Sequence, residues 1–337
     1  MHTGLRYRLS EYLAWTWRDS LALLVVSTVP VILFDVVGWR WLVIPWVPVA
    51  LIGTASAFVV GFKNNATYAR AWEARTIWGS IVNSSRAWAL QVIDFVRPTA
   101  TLSEAEAREV HRLLIHRHIA WLTALRFQLR QPRTWERMSL PQSRKYQKLH
   151  YPVPEQDGEL GAELARVLSP ADHAVVMKGA NRATHLLALQ SHTLAQLSAQ
   201  AVLEPNRHVA LSQRLVDLLD AQGRCERIKN FPYPRQFATI NLFFIRLFVF
   251  LVPFGLLQEF DKLGPGFVWL GVPFGFLVGW VFNAMERIGD ATENPFEGSP
   301  NDVPISALSR TIEIDLRELL GESEIPAPLS PVNNILM

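Results

Sequence analysis

Few residues in this sequence are of a type and spacing that could do chemistry. His111, His116 and His118 lie close together, and imidazole nitrogens are common metal ligands. On a helix only the first and last of them share a face, two turns apart, so they read as packed or solvated imidazoles and not as a metal centre. Cys225 is the single cysteine, which excludes an intrachain disulfide and a cysteine-based metal site. There is no glycine-rich phosphate loop, no nucleophile elbow and no pair of histidines at metal-binding helical spacing. Nothing here points to an enzyme.

A different kind of chemistry is written into one uncharged segment. Gly53, Ala57 and Gly61 recur every four residues and form a small-residue stripe that lets another helix approach closely. Beside it runs a second stripe, Thr54, Phe58 and Phe62, in the same register. Repeated around an axis by several copies of the chain, those side chains would become stacked rings closing a narrow hydrophobic constriction, a device that gates ion passage. From spacing alone, the same two phenylalanines could equally face lipid or a core.

The elements that carry these stripes are apolar and long. Half of the 337 residues are hydrophobic and 19% are charged, below the quarter usual in soluble domains. Residues 41–62 and 263–285 carry no charge, and a helix needs about 20 apolar residues to cross roughly 30 Å of hydrocarbon. Two further spans are predicted at 20–39, where Asp35 would sit at an interface, and at 236–258, where Arg246 is the one charge. Arg246 is expected to be buried and paired near Asp290 or Glu286, or bonded to carbonyls. Four spans put both termini and the connector on one side. That side carries every Lys and Arg except Arg40, Lys262 and Arg246, which makes it cytoplasmic by the positive-inside rule. Trp39 and Trp41 fit an outer aromatic belt, and Trp15 and Trp17 an inner one. A bacterial-type inner membrane is the simplest address, and a net charge of +3 gives no argument for nucleic acid.

The connector reads as helical. Ser103 and Glu106 form a capping-box pattern opening a helix to about Arg130, with Leu114, Ala120, Trp121 and Leu125 as its apolar stripe and Arg108, Arg112, Arg117 and Arg126 on its polar side. Residues 132–160 read as a loop. Ser169-Pro170 opens a helix to about Gln200, Pro205 opens another toward Lys229, and Pro232 and Pro234 stop it. No segment alternates like a strand. The expected organisation is 1–62 with two spans, 63–235 as a cytosolic helical domain, 236–285 with two spans, and a cytosolic segment over 286–337.

The run Gly61-Phe62-Lys63-Asn64-Asn65-Ala66-Thr67-Tyr68-Ala69-Arg70, continuing through Glu73-Ala74-Arg75 to Trp78-Gly79, resembles the signature of bacterial bestrophins. Trp17-Arg18-Asp19-Ser20, Cys225-Glu226-Arg227 with Pro232 and Pro234, Asn294-Pro295-Phe296, Asn301-Asp302-Val303-Pro304 and the helix from Thr311 to Gly321 agree with the same family, in order. The stretch 132–200 is the least similar to it. The resemblance implies an all-α homopentameric ion channel in a lipid bilayer, its second span lining a hydrophobic neck at Thr54, Phe58 and Phe62. Thr54 stands where relatives commonly have a large aliphatic residue. It also implies a cytosolic aperture near Asn206 and an anion, chloride by family default, as the small inorganic ion carried. Animal bestrophins hold calcium in a clasp whose counterparts here are Asp290, Asn294 and Asp302. Ala291 and Ser299 stand where the animal pattern supplies side-chain ligands, so no cofactor is expected. The alternatives are a cation-conducting homologue and a non-conducting membrane-anchored scaffold or sensor.

Overall fold

The computed structural model describes the backbone of every residue but Arg8, and the side chains outside 8–15, so the placement of Trp15 in a belt lies outside the described residues. Its helices are α1 (Leu9–Asp35), α2 (Trp46–Phe95), α3 (Glu104–Arg130), α4 (Pro141–His150), α5 (Pro154–Asp157) and α6 (Leu160–Ala165), followed by α7 (Pro170–Lys178), α8 (Arg182–Ala199), α9 (Pro205–Asn230), α10 (Arg235–Asp261), α11 (Gly271–Thr292) and α12 (Ile305–Leu320). Among the described residues there is no β-strand, only isolated bridges such as His2 with Ile335. Four helical stretches are long and apolar enough to cross a membrane: Thr16–Asp35, Arg40–Phe95, Arg235–Asp261 and Phe267–Thr292. The chain divides into two units, one of Gly4–Arg70 and Pro232–Glu293, the other of Met1–Thr3, Ala71–Phe231 and Asn294–Met337.

The first unit contains the spans. Gly271, Gly275 and Gly279 on α11 meet Val31, Ser27 and Leu23 on α1, two antiparallel rows with the same four-residue step. A Cβ added at Gly279 would lie 2.6 Å from Leu23 Cδ2, so the contact depends on the missing side chain. The ends of the spans are pinned by polar groups. Trp269 Nε1 donates to Asp35 at 2.8 Å, Arg40 pairs with Asp261 at 3.3 Å, and Arg287 pairs with Asp19. Trp39 and Trp41 stack 5.8 Å apart on the exposed turn after α1, and Trp17 is exposed near its start.

The second unit is built around α3. Its capping box forms as the sequence predicts, Ser103 Oγ accepting from the Glu106 N–H at 3.3 Å while Glu106 accepts from the Ser103 N–H at 2.8 Å. The rest of α3 departs from an amphipathic reading. From Leu114 to Leu125 it is buried nearly all round, packed by α8, α12 and α9, with Trp78, Trp88 and Trp121 in the core. Arg117 and Arg126, expected on a polar face, are buried with it. Arg117 grips Asp172 through two bonds of 2.8 and 2.9 Å, and Arg126 pairs with Glu155. A buried cation persists only when paired. The nearby Arg126 and Arg130 guanidinium groups hold the Glu155 carboxyl below its usual range despite its burial.

The expected single helix from Ser169 to Gln200 is two. Ser169 caps α7, but the chain breaks at Gly179, where an added Cβ would collide with the His185 ring, and Asn181 starts α8 by accepting from the Thr184 N–H at 3.1 Å. Residues 132–160, expected to be a loop, hold the short α4 and α5.

Candidate functional site

The stripes on α2 can now be placed on a helix with a defined inner face. Val49, Gly53, Ser56, Val60, Lys63 and Thr67 are buried in the first unit, a run at three- and four-residue steps. At 100° per residue, Phe58 lies about half a turn from the centre of that face. Phe58 and Phe62 are accordingly 68% and 62% exposed on the single chain, and their rings touch edge to face with centroids 4.6 Å apart. Thr54 is exposed beside them, its hydroxyl donating to the Ala50 carbonyl at 2.9 Å. Leu51 and Asn65 continue the outward stripe on either side.

The small-residue stripe splits. A Cβ on Gly53 would lie 2.4 Å from the Phe248 ring of α10, so this glycine is used inside the chain. Ala57 and Gly61 are exposed, and nothing lies within 4 Å of a Cβ built on Gly61. A four-residue step advances 400°, so such a row drifts about 40° per step and leaves the buried face.

What locks the rotation of α2 is a polar knot that sequence reasoning missed. Lys63 is buried, and its Nζ donates to Glu286 Oε1 and Asp290 Oδ1, both at 2.6 Å. Asn241 Nδ2 donates to the other Glu286 oxygen at 2.5 Å, and Asn64 Nδ2 to the Met285 carbonyl at 3.0 Å. One turn on from Met285, an added Cβ at Gly289 would collide with Asn64 Oδ1. Arg70 Nε donates to the Glu293 carbonyl at 3.1 Å, and Arg235 pairs with the Glu293 carboxylate. With Lys63 tied inward, Phe58 and Phe62 have only the outward direction. The signal was available: a lysine one residue past an apolar run, followed by two amides, sits where a cation must find a partner or snorkel. The acids expected to receive Arg246 are therefore taken by Lys63. Arg246 is exposed, and the reason is angular, since it lies off the inner face of α10.

The remaining candidates are scattered. Asn206 is exposed in the first turn of α9. Asp290 lies in the first unit with Lys63, whereas Asn294 and Asp302 belong to the second. The Asp302 carboxylate accepts from Arg130 Nη1 and the Gly298 N–H, each at 2.7 Å, and from Ser299 Oγ at 2.5 Å, which fixes the turn around residues 298–302. Glu297, buried beside this turn, accepts from the Met138 N–H at 3.3 Å, and burial together with the Asp302 and Glu136 charges raises its carboxyl to about 8. Among the described residues no three acids, histidines or cysteines gather as a metal site.

The three histidines part company. His111 bonds the Val96 carbonyl, His116 bonds Glu322, and His118 lies buried between Trp88 and Trp121 on Ser85 Oγ, where desolvation lowers it to about 3 and keeps it neutral. The buried Cys225 thiol is pushed up by desolvation and is inert as a nucleophile.

Comparison with known proteins agrees with this architecture. A bacterial bestrophin homologue from Klebsiella pneumoniae, solved by crystallography, superposes with a TM-score of 0.74 at 22% identity, covering 90% of this chain and 98% of that one, which shows the fold. The voltage-dependent anion channel-forming protein YneE of Escherichia coli K12 is 29% identical over 284 residues, 84% of this chain and 80% of that protein. A voltage-dependent anion channel-forming protein of Ralstonia nicotianae is 30% identical over 278 residues, 82% of this chain and 78% of that protein. The family model of the bacterial and fungal bestrophin proteins matches residues 10–318, and the chain belongs to that family.

Proposed function

We propose that the chain is a bestrophin channel that assembles as a homopentamer in the cell inner membrane and passes small monovalent anions, chloride among them, along its fivefold axis. It is a membrane protein, and its family and the names of its relatives point to a channel and not an enzyme. The observation that carries the reading is the outward stripe of α2. Phe58 and Phe62 are turned away from the chain's own packing by the Lys63 knot, so in an assembly around an axis they form the neck, with Thr54 as its outer ring. Asn206 then belongs to a cytosolic aperture, and both termini lie in the cytoplasm. The domain plan is two spans in 1–62, a cytosolic helical domain over 63–235, two spans in 236–285 and a cytosolic tail. Calcium is not required for opening: the Asp290 and Asp302 carboxylates already have protein cations as partners, and Ala291 offers no oxygen side chain. The anionic preference is supported by the relatives named anion channel-forming proteins.

Purified protein in liposomes under a salt gradient tests this. The expected reversal potential lies on the anion side; the opposite sign identifies the cation-conducting alternative, and no current identifies the scaffold. Replacing Phe58 and Phe62 together by Ala should raise single-channel conductance or open probability severalfold by lowering the dewetting barrier. A double variant that elutes as the wild-type assembly and carries wild-type current would remove these residues from the neck.

A further inference from the structure

The second unit encloses a cavity of about 120 Å³ between α3, α12 and the segment that follows α12. Helical spacing builds it. Ile119, Leu122 and Arg126 share one face of α3, and Ser306, Ser309 and Glu313 share one face of α12, both at steps of three and four residues. Gly321, in the left-handed region at φ 71°, ends α12 and lets the chain turn back. Arg310 Nη1 then donates to the Ala327 carbonyl at 3.4 Å, which brings Leu329 onto the cavity. The lining is apolar at Ile119, Leu122, Phe127 and Leu329, and cationic at Arg126, Arg166 and Arg310.

Its polar groups are not balanced. Both carboxylates of the lining are answered, each oxygen by its own arginine. Glu163 meets Arg166 at 2.8 Å and Arg126 at 3.7 Å, and Glu313 meets Arg317 at 3.0 Å and Arg310 at 3.3 Å. Donors are left over. Arg310 uses Nε on Glu313 and Nη1 on Ala327, and its Nη2 has no acceptor among the described residues. Ser309 is only 6% exposed, lines the cavity, and its Oγ has no hydrogen-bond partner among the described residues. A buried hydroxyl is normally paired, and beside a neighbouring guanidinium with a donor to spare it asks for an acceptor carrying negative charge.

We infer that this cavity is a binding site for a short-chain monocarboxylate, its carboxylate accepting from Ser309 Oγ and Arg310 and its alkyl tail lying against Ile119, Leu122, Phe127 and Leu329. Size agrees with that chemistry. An apolar cavity of about 150 Å³ takes benzene, so this one suits a ligand slightly smaller, the size of propionate or butyrate. A small-molecule site of this kind is apolar over much of its wall, with a few polar groups that fix orientation. A free ammonium ligand would find Glu163 and Glu313 already taken, and an inorganic anion would leave the apolar wall uncovered.

The test uses the full-length protein purified in detergent, dialysed at fixed ionic strength against isotopically labelled butyrate. Saturable binding, stoichiometric with the chain, is expected. Propionate should displace the label. Butyramide, which keeps the shape without the charge, should not, and neither should excess chloride, which has the charge without the tail. Ser309→Ala should weaken binding about tenfold, the effect of one hydrogen bond to a charged group. It carries its own control: removing an unpaired buried hydroxyl should leave the melting temperature without ligand unchanged or raised, so weaker binding cannot come from a damaged fold. Arg310→Met should weaken binding about tenfold or more, with part of the loss restored in Arg310→Lys. If Arg310→Met does not fold, Ser309→Ala decides. The assignment is overturned by absence of saturable binding up to about 20 mM butyrate, by equal binding of butyramide, or by binding that Ser309→Ala leaves at wild-type strength. No current is measured, so the result bears on this site alone and leaves the channel reading to its own test.

Discussion

Two helices of this protein carry small residues every four positions, and they use them differently. On α11, Gly271, Gly275 and Gly279 are all buried against α1, each facing a side chain one turn further along it. On α2, only Gly53 is used within the chain, while Ala57 and Gly61 are open to the outside. The difference lies in the partner. A row with a four-residue step drifts around its helix, and it stays in contact only where the neighbour presents a row with the same step at a matching crossing angle. α1 does so through Leu23, Ser27 and Val31. α10 meets α2 through the Phe248 ring, and the inner face of α2 moves on to Ser56, Val60 and Lys63 instead. The spacing therefore announces that a backbone can approach, and says nothing about whose.

The sharpest way to break this comparison is to fill one position on each helix. Gly279→Leu places side-chain carbon where Leu23 already stands, 2.6 Å from the added Cβ. Overpacking typically costs about 1–3 kcal/mol and more where backbones must part. The expected outcome is loss of the monodisperse folded species in fluorescence-detected gel filtration; a well-behaved variant with wild-type melting temperature would show the α1–α11 contact to be loose. Ala57→Leu should do less to the chain and more to the assembly. The single chain has room there, so the expected result is folded protein shifted to smaller species in mass measurements in detergent. An unchanged assembly would place the subunit contact elsewhere.

The smallest effect sharpens the comparison by its sign. In an open helical position Gly→Ala stabilises by about 0.4–1 kcal/mol through the unfolded chain. Gly61→Ala should therefore raise the melting temperature slightly if Gly61 faces lipid or a water path. It should lower the temperature of subunit dissociation if a second backbone rests on it. A thermal melt read alongside native mass spectrometry distinguishes the two.

Much of this architecture is legible without coordinates. The uncharged runs at 41–62 and 263–285 lie in helices long and apolar enough to cross a membrane, the Ser103–Glu106 box and the Ser169-Pro170 cap open helices where they should, and Pro205 starts α9. The motif from Gly61 to Gly79 carries the family. Readings that depend on which side of a helix meets which neighbour fared differently. Arg117 and Arg126 look like solvated arginines on a striped helix, yet α3 is surrounded and both are buried with carboxylates from α7 and α5. Glu286 and Asp290 look like partners for the lone arginine of the third span, yet Lys63 reaches them from α2.

The sequence by itself determined the composition of each element: which segments are apolar enough to leave water, where helices begin, and which family's motifs they bear. Those properties follow from solvation and from local backbone hydrogen bonding, and both act over a few residues. Only the tertiary structure decided the azimuth of each helix. A buried ammonium accepts no arrangement except one that brings carboxylates to it, and Lys63 finds them on α11, more than two hundred positions away in the chain. That single requirement turns α2 so that Phe58 and Phe62 point outward. The packing of Phe248 on Gly53 and of Ile245 in the core of the unit likewise leaves Arg246 on the outer side of α10, since residues one apart on a helix differ by 100° in direction.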